Sequence, residues 1–137
     1  MDNHKITARF DSGLSFISTI DQHSLIMDSS APPTESIGPS PKKLMLAALA
    51  GCTGIDVVSI LEKMKVKFTD LNISVNAILT EEHPQIYKTV DIVFDIKINE
   101  NDQPKMEKAV LLSKDKYCGV SAMFNAFAQL NWTINYL

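Results

Sequence analysis

The chain has 137 residues, 45% of them hydrophobic and 21% charged, with two cysteines and a formal net charge of −3. That length suits one domain, since about 100–200 residues is usual, and the composition excludes collagen, a coiled coil, a disulfide-rich secreted scaffold and a disordered tail. Mild acidity argues against nucleic acid, whose binders carry a basic face. We therefore expect a single domain over residues 1–137.

Met1 to Thr7 holds charges and no apolar stretch of the kind that leads secretion, so a cytoplasmic location is expected. His4 to Phe10, Leu14 to Ile20 and Ser24 to Asp28 are short runs of β-branched and aromatic residues. Turns at 11–13 and 21–23 separate them, which predicts a β-meander. From Ser29 to Ser40 the chain is rich in Ser, Pro and Gly and reads as a loop. A loop of that length inside a compact domain is often functional.

Pro41 to Lys65 is the most distinctive segment. Ser40 suits an N-cap and Pro41 a first helical position. Leu44 to Ile55 carries no charged or amide side chain, which predicts a helix buried on all sides. Asp56 interrupts the run short of the ~20 apolar residues a membrane span needs, so no membrane is expected. Gly51 and Gly54, costly inside a helix, suggest close approach by another element.

Alternation at Leu71, Ile73, Val75, Ala77 and Leu79, and again at Val90, Ile92, Phe94, Ile96 and Ile98, predicts two half-buried strands joined at 81–85. Asp102 suits a cap for a helix with Pro104 in its first turn, ending near Lys114. A break at Lys114-Asp115-Lys116 follows, then a short helix from Ser121 to Phe127 and a final strand, Leu130 to Tyr136. The order βββ–α–ββ–α–α–β predicts an α+β fold.

Cys52 and Cys118 form no CxxC pair, and with His4, His23 and His83 scattered no zinc pattern can be assembled from sequence. Cys52 is either a small apolar filler or a reactive thiol marked by its flanking glycines. Cys118 precedes a predicted helix, whose dipole together with Lys116 favours a thiolate; a loop-edge filler is the alternative. Arg9 is the one arginine among the 13 basic residues.

Three segments carry a resemblance. They are Gly38-Pro39-Ser40-Pro41-Lys42-Lys43-Leu44, then Leu46 to Val58 (LAALAGCTGIDVV), and Lys116-Tyr117-Cys118-Gly119-Val120-Ser121. Together they are similar to the OsmC/Ohr family, the osmotically inducible protein C and organic hydroperoxide resistance proteins. The likeness extends over nearly the whole chain and is greater to the general OsmC-like group than to the Ohr branch. It implies an intertwined α+β homodimer with central helices buried in the dimer and two sites at the interface. It also implies a cysteine-based thiol peroxidase that reduces organic hydroperoxides. Cys52 would attack the peroxide and become a sulfenic acid, Cys118 would resolve it as a disulfide, and an external dithiol would restore both. No resident cofactor or metal is implied.

In the hydroperoxide-reducing branch an arginine from the N-terminal β region activates the first cysteine, and a glutamate near the start of the central helix orients it. Here Lys42 stands where the glutamate would be. Arg9 is the candidate guanidinium or else an exposed strand residue, and Glu35, in the Pro-rich loop, is a candidate for the missing acid. Asp56, one helical turn after Cys52, would hold a cation or backbone donor near the thiol, cap a helix end, or bond across the dimer interface. Phe10, Phe16, Met123 and Phe124 would line an oily pocket or serve as plain core. Two other readings stand beside the peroxidase: a module binding a small hydrophobic ligand, and a thiol redox sensor.

Overall fold

The computed structural model describes residues 2–137. The element order is β1 (Thr7–Ser12), β2 (Ser15–Ile20), β3 (His23–Asp28), α1 (Pro41–Lys63), β4 (Phe68–Leu79), β5 (Tyr87–Ile98), α2 (Gln103–Leu112), α3 (Gly119–Asn125) and β6 (Gln129–Tyr136). This is the expected α+β order. The chain divides into two compact units, one ending at Met45 and the other running Leu46–Leu137.

In the first unit β1, β2 and β3 form an antiparallel meander, with Arg9 opposite Ile17 and Phe10 opposite Phe16. The following loop is ordered by one side chain. The Asp28 carboxylate accepts from the Ser30 N–H at 2.8 Å, the Ser30 hydroxyl at 2.7 Å and the Ile37 N–H at 3.0 Å. These bonds, the Ile37 N–H foremost, hold its pKa below the usual carboxylate value. The loop's return requires a glycine: a Cβ on Gly38 would collide with the carbonyl of Ile26.

In the second unit β5 lies between β4, antiparallel to it, and β6, parallel to it. A central strand must bury alternate residues. Val90, Ile92, Phe94 and Ile96 are fully buried, joined in one core by Leu49, Val57 and Leu61 of α1, Met106, Ala109 and Val110 of α2, and Phe124 of α3. Along the β5/β6 pair, Asn131 donates to Asp91 at 2.8 Å and Asn135 to Asp95 at 3.0 Å, fixing the register with polar pairs.

The structure corrects several sequence expectations. Helix α1 ends at Lys63 rather than Lys65. Lys65 is left-handed at φ 59°, while the Val66 N–H bonds Leu61 O and the Lys65 N–H bonds Glu62 O, a Schellman ending with lysine where glycine is usual. Nor is α1 buried on all sides within the chain. Burial follows the single stripe Leu49, Thr53, Val57, Leu61, spaced one turn apart, and Ile55 is 72% exposed. Gly54 is approached closely, since its Cβ would lie 2.8 Å from Ile73 Cδ1, but among the described residues nothing beyond its own stretch of helix would come within 4 Å of a Cβ on Gly51. Asp102 occupies the cap position of α2 without a side-chain cap bond and pairs instead with Lys105 at 3.6 Å. The expected break at 114–116 is a π-helical turn, Ser113–Tyr117.

Candidate functional site

The π turn sets up the site. Widening the last turn of α2 lets the Cys118 N–H reach Ser113 O at 2.9 Å, the i to i+5 bond that often marks functional positions. The chain then extends for one residue at Cys118 (φ −79°, ψ 102°), which caps α3 with its sulfur: Cys118 Sγ accepts from the Ser121 N–H at 3.2 Å. Cys118 is 3% exposed.

Cys52 and Asp56 reach the same place from α1, one turn apart and on one face. The sulfurs of Cys52 and Cys118 and a carboxylate oxygen of Asp56 all lie within 4.8 Å of one another. Both cysteines are free thiols, Cys52 half-buried and Cys118 buried. Among the described residues Asp56 neither caps a helix end nor pairs with a cation; its Oδ2 accepts from the Ser113 hydroxyl at 2.8 Å. Ser113 therefore ties the site together, its carbonyl holding the Cys118 backbone and its hydroxyl holding the carboxylate. Next to Cys52, fully buried Thr53 donates to Leu49 O and Ala50 O, so its hydroxyl is not left unpaired in the core.

Electrostatics set the resting state of Cys52. Burial pushes its thiol pKa up, the Cys118 side chain and the Asp56 charge push the same way, and the Val120 N–H opposes them. The thiol form is therefore favoured at neutral pH. Two successive N–H groups at the start of α3 thus serve the two sulfurs, Val120 for Cys52 and Ser121 for Cys118.

A cavity of about 310 Å³ opens beside Asp56, walled by Ile60, Met64 and Leu112, with Lys63 and Tyr117 also on its lining. Phe10, Phe16, Met123 and Phe124 are not on the lining of that cavity. Phe124 is core, packed against Tyr87 and Phe127. Phe10 and Phe16 meet edge to face at 5.8 Å and are exposed, and Met123 is exposed too. Lys116 sits over the Tyr117 ring at 5.3 Å. In the first unit, Arg9 is an exposed residue of β1 and Glu35 an exposed loop residue. Ser113 and Val120 escaped sequence reading. The signal available for Ser113 was a small hydroxyl at the end of α2, just before an apparent break.

A sequence model of the family described as OsmC-like protein matches residues 33–133, and Cys52, Asp56 and Cys118 all fall inside that span. The chain belongs to the OsmC-like family. Protein YhfA of Escherichia coli K12 is 31% identical to this OsmC-like chain over 112 residues, 81% of each protein. A solved hypothetical protein of Aquifex aeolicus VF5 superposes with a TM-score of 0.87 at 26% identity, covering 100% of this chain and 98% of that one. The organic hydroperoxide resistance protein OhrB of Bacillus subtilis superposes with a TM-score of 0.68 at 20% identity over 97% of this chain and 98% of that one. At that identity the last comparison speaks for the shared OsmC-like fold alone.

Proposed function

We propose that this OsmC-like protein is a cysteine-based thiol peroxidase acting on organic hydroperoxides. The observation that carries this reading is the pairing of a half-buried thiol with a buried one, their sulfurs within 4.8 Å. The more accessible Cys52 is the nucleophile: its thiolate attacks the outer peroxide oxygen, the O–O bond breaks, and the alkoxide leaves as an alcohol after taking a proton. Cys52 becomes a sulfenic acid. The Cys118 sulfur then attacks Cys52, water leaves, and a disulfide forms; an external dithiol returns both thiols and is itself oxidised. The Val120 N–H faces the Cys52 sulfur and stabilises negative charge there. The apolar wall of the cavity beside Asp56 suits the organic part of the substrate.

Arg9, as the one arginine, is the guanidinium assigned to activate Cys52, and Glu35 the acid assigned to orient it, with Asp56 a third polar group at the thiols. We further propose a cytoplasmic homodimer. The uncovered side of α1, marked by Met45 and Ile55, supports a protein partner there. By length and hydropathy alone α1 would also cross a membrane. Asp56, bonded to Ser113 in mid-helix, and the buried stripe of Leu49, Val57 and Leu61 favour a core helix instead.

The test is cumene hydroperoxide consumption with dithiothreitol. The parent protein should turn over repeatedly, Cys52→Ser should stop, and Cys118→Ser should stall as a sulfenic acid after one equivalent. Equal consumption by Cys52→Ser and parent defeats the peroxidase reading; a single turnover by the parent points to a sensor instead.

A further inference from the structure

The same three atoms meet a second chemical requirement, one that does not rest on peroxide chemistry. Two thiol sulfurs and a carboxylate oxygen converge within 4.8 Å. A tetrahedral zinc ion with Zn–S bonds of about 2.3 Å needs sulfurs roughly 3.8 Å apart, which small rotations about the Cys52 and Cys118 side-chain bonds can supply. The ligands come from separate, well-anchored elements, α1 and the α2–α3 junction. Each of two is oriented by an outer partner: the Asp56 carboxylate by the Ser113 hydroxyl at 2.8 Å, and the Cys118 sulfur by the Ser121 N–H at 3.2 Å. Hydrogen bonds donated to the ligand atoms favour their anionic, metal-binding form and fix their direction. Cys118 is buried while Cys52 is half-buried, leaving one side open to solvent.

We propose that the reduced protein binds one thiophilic divalent cation, zinc by its ligand chemistry, through Cys52 Sγ, Cys118 Sγ and an Asp56 oxygen, with water in the fourth position. Two sulfurs and one oxygen suit a borderline-soft ion and not magnesium or calcium. Binding converts both thiols to thiolates and releases two protons to the medium for each ion bound. It also occupies both sulfurs and prevents their joining as a disulfide; on the proposed function, the ion and the peroxide therefore exclude each other.

The experiment titrates reduced protein with cobalt chloride in the absence of peroxide, then displaces cobalt with zinc sulfate. One ion per chain, a near-ultraviolet thiolate-to-cobalt band and about two protons released per ion are expected. The disulfide form should show no band. Asp56→Asn should weaken binding at least tenfold and Ser113→Ala about tenfold, each with an unchanged circular dichroism spectrum. Absence of the band in protein whose two thiols react with Ellman's reagent overturns the proposal. So does an equal affinity in Asp56→Asn, which would mean adventitious binding by thiols alone. If the serine variants of the cysteines fail to fold, the reduced-versus-disulfide comparison on the parent chain decides. Peroxide turnover is measured separately in chelator, so loss of one activity is distinguishable from loss of the other.

Discussion

In the first unit the buried residues are polar: Ser15, Ser18 and Asp28 are covered, while Phe10, Phe16, Ile20 and Ile26 face out. In the second the order is reversed, with Leu49, Ile92, Phe94, Ile96 and Met106 fully buried in one core. The strands of the first unit carry adjacent apolar residues, Phe16-Ile17 and Leu25-Ile26-Met27, where β4 and β5 largely alternate apolar and polar. The second unit gains its order from apolar burial. The first gains it from hydrogen bonds, the Asp28 carboxylate holding Ser30 and Ile37 and the Ser15 hydroxyl bonding Ser12 O at 2.8 Å and Asp11 at 3.1 Å. Apolar strand residues thus report a need for cover; which of them are covered depends on what else is present. The exposed apolar face of the first unit is the kind of surface that marks an interaction site.

The largest effect expected is in the second core. Phe94→Ala removes a fully buried ring stacked on Trp132 and should cost about 3–5 kcal/mol by urea unfolding; a loss below about 1 kcal/mol would deny that this core dominates stability. Next, Gly38→Ala forces a Cβ against the Ile26 carbonyl and should cost about 1–3 kcal/mol. An unchanged midpoint would show the loop to be free of that close approach. Phe16→Ser is a discriminating case. On an isolated chain an exposed position costs within about 0.5 kcal/mol, so a larger loss at high protein concentration that vanishes on dilution would identify the first unit's apolar face as dimer surface.

Asp28 links the first unit to pH. Its pKa is lowered in the fold, chiefly by the Ile37 N–H. The stabilisation is therefore present above the ordinary carboxylate pKa and is lost as pH falls through the lower folded value. Parent protein should show acid loosening of the Pro-rich loop, seen as protease cleavage within 29–40, and Asp28→Asn should be cleaved at neutral pH as well. The smallest effect concerns Cys52. Its raised pKa, due first to burial, places the rise in iodoacetamide alkylation above the usual thiol value of about 8.5. Asp56→Asn removes one of the lesser raising influences and should move that rise slightly toward lower pH.

Much of the element order was readable from sequence. Alternation from Leu71 to Leu79 and from Val90 to Ile98 revealed β4 and β5, because a strand with one covered face must repeat every second residue. Two things were hidden, and for different reasons. The cover of α1 depends on neighbours that composition does not show: Val57 is buried and Ile55 exposed, though both are apolar in one uncharged stretch. The meeting of Cys52 and Cys118 is a tertiary fact, invisible to spacing, and was reached through family resemblance. The π turn was hidden because Lys114-Asp115-Lys116 has the composition of an ending, while its backbone continues to bond.

That turn makes the chain's phase, not merely its composition, a requirement for chemistry. A π turn carries one residue more than an α-helix would over the same hydrogen-bonded span. Deleting any one residue between Ser113 and Tyr117 would let an ordinary helix run on, and each residue of helix rotates the following side chain by about 100°. Cys118 would then be swung away from its partner thiol even with every side chain of the site retained. A mutational scan by deletion should therefore find this five-residue segment as intolerant as the cysteines themselves, while substitutions at its exposed lysines pass unnoticed.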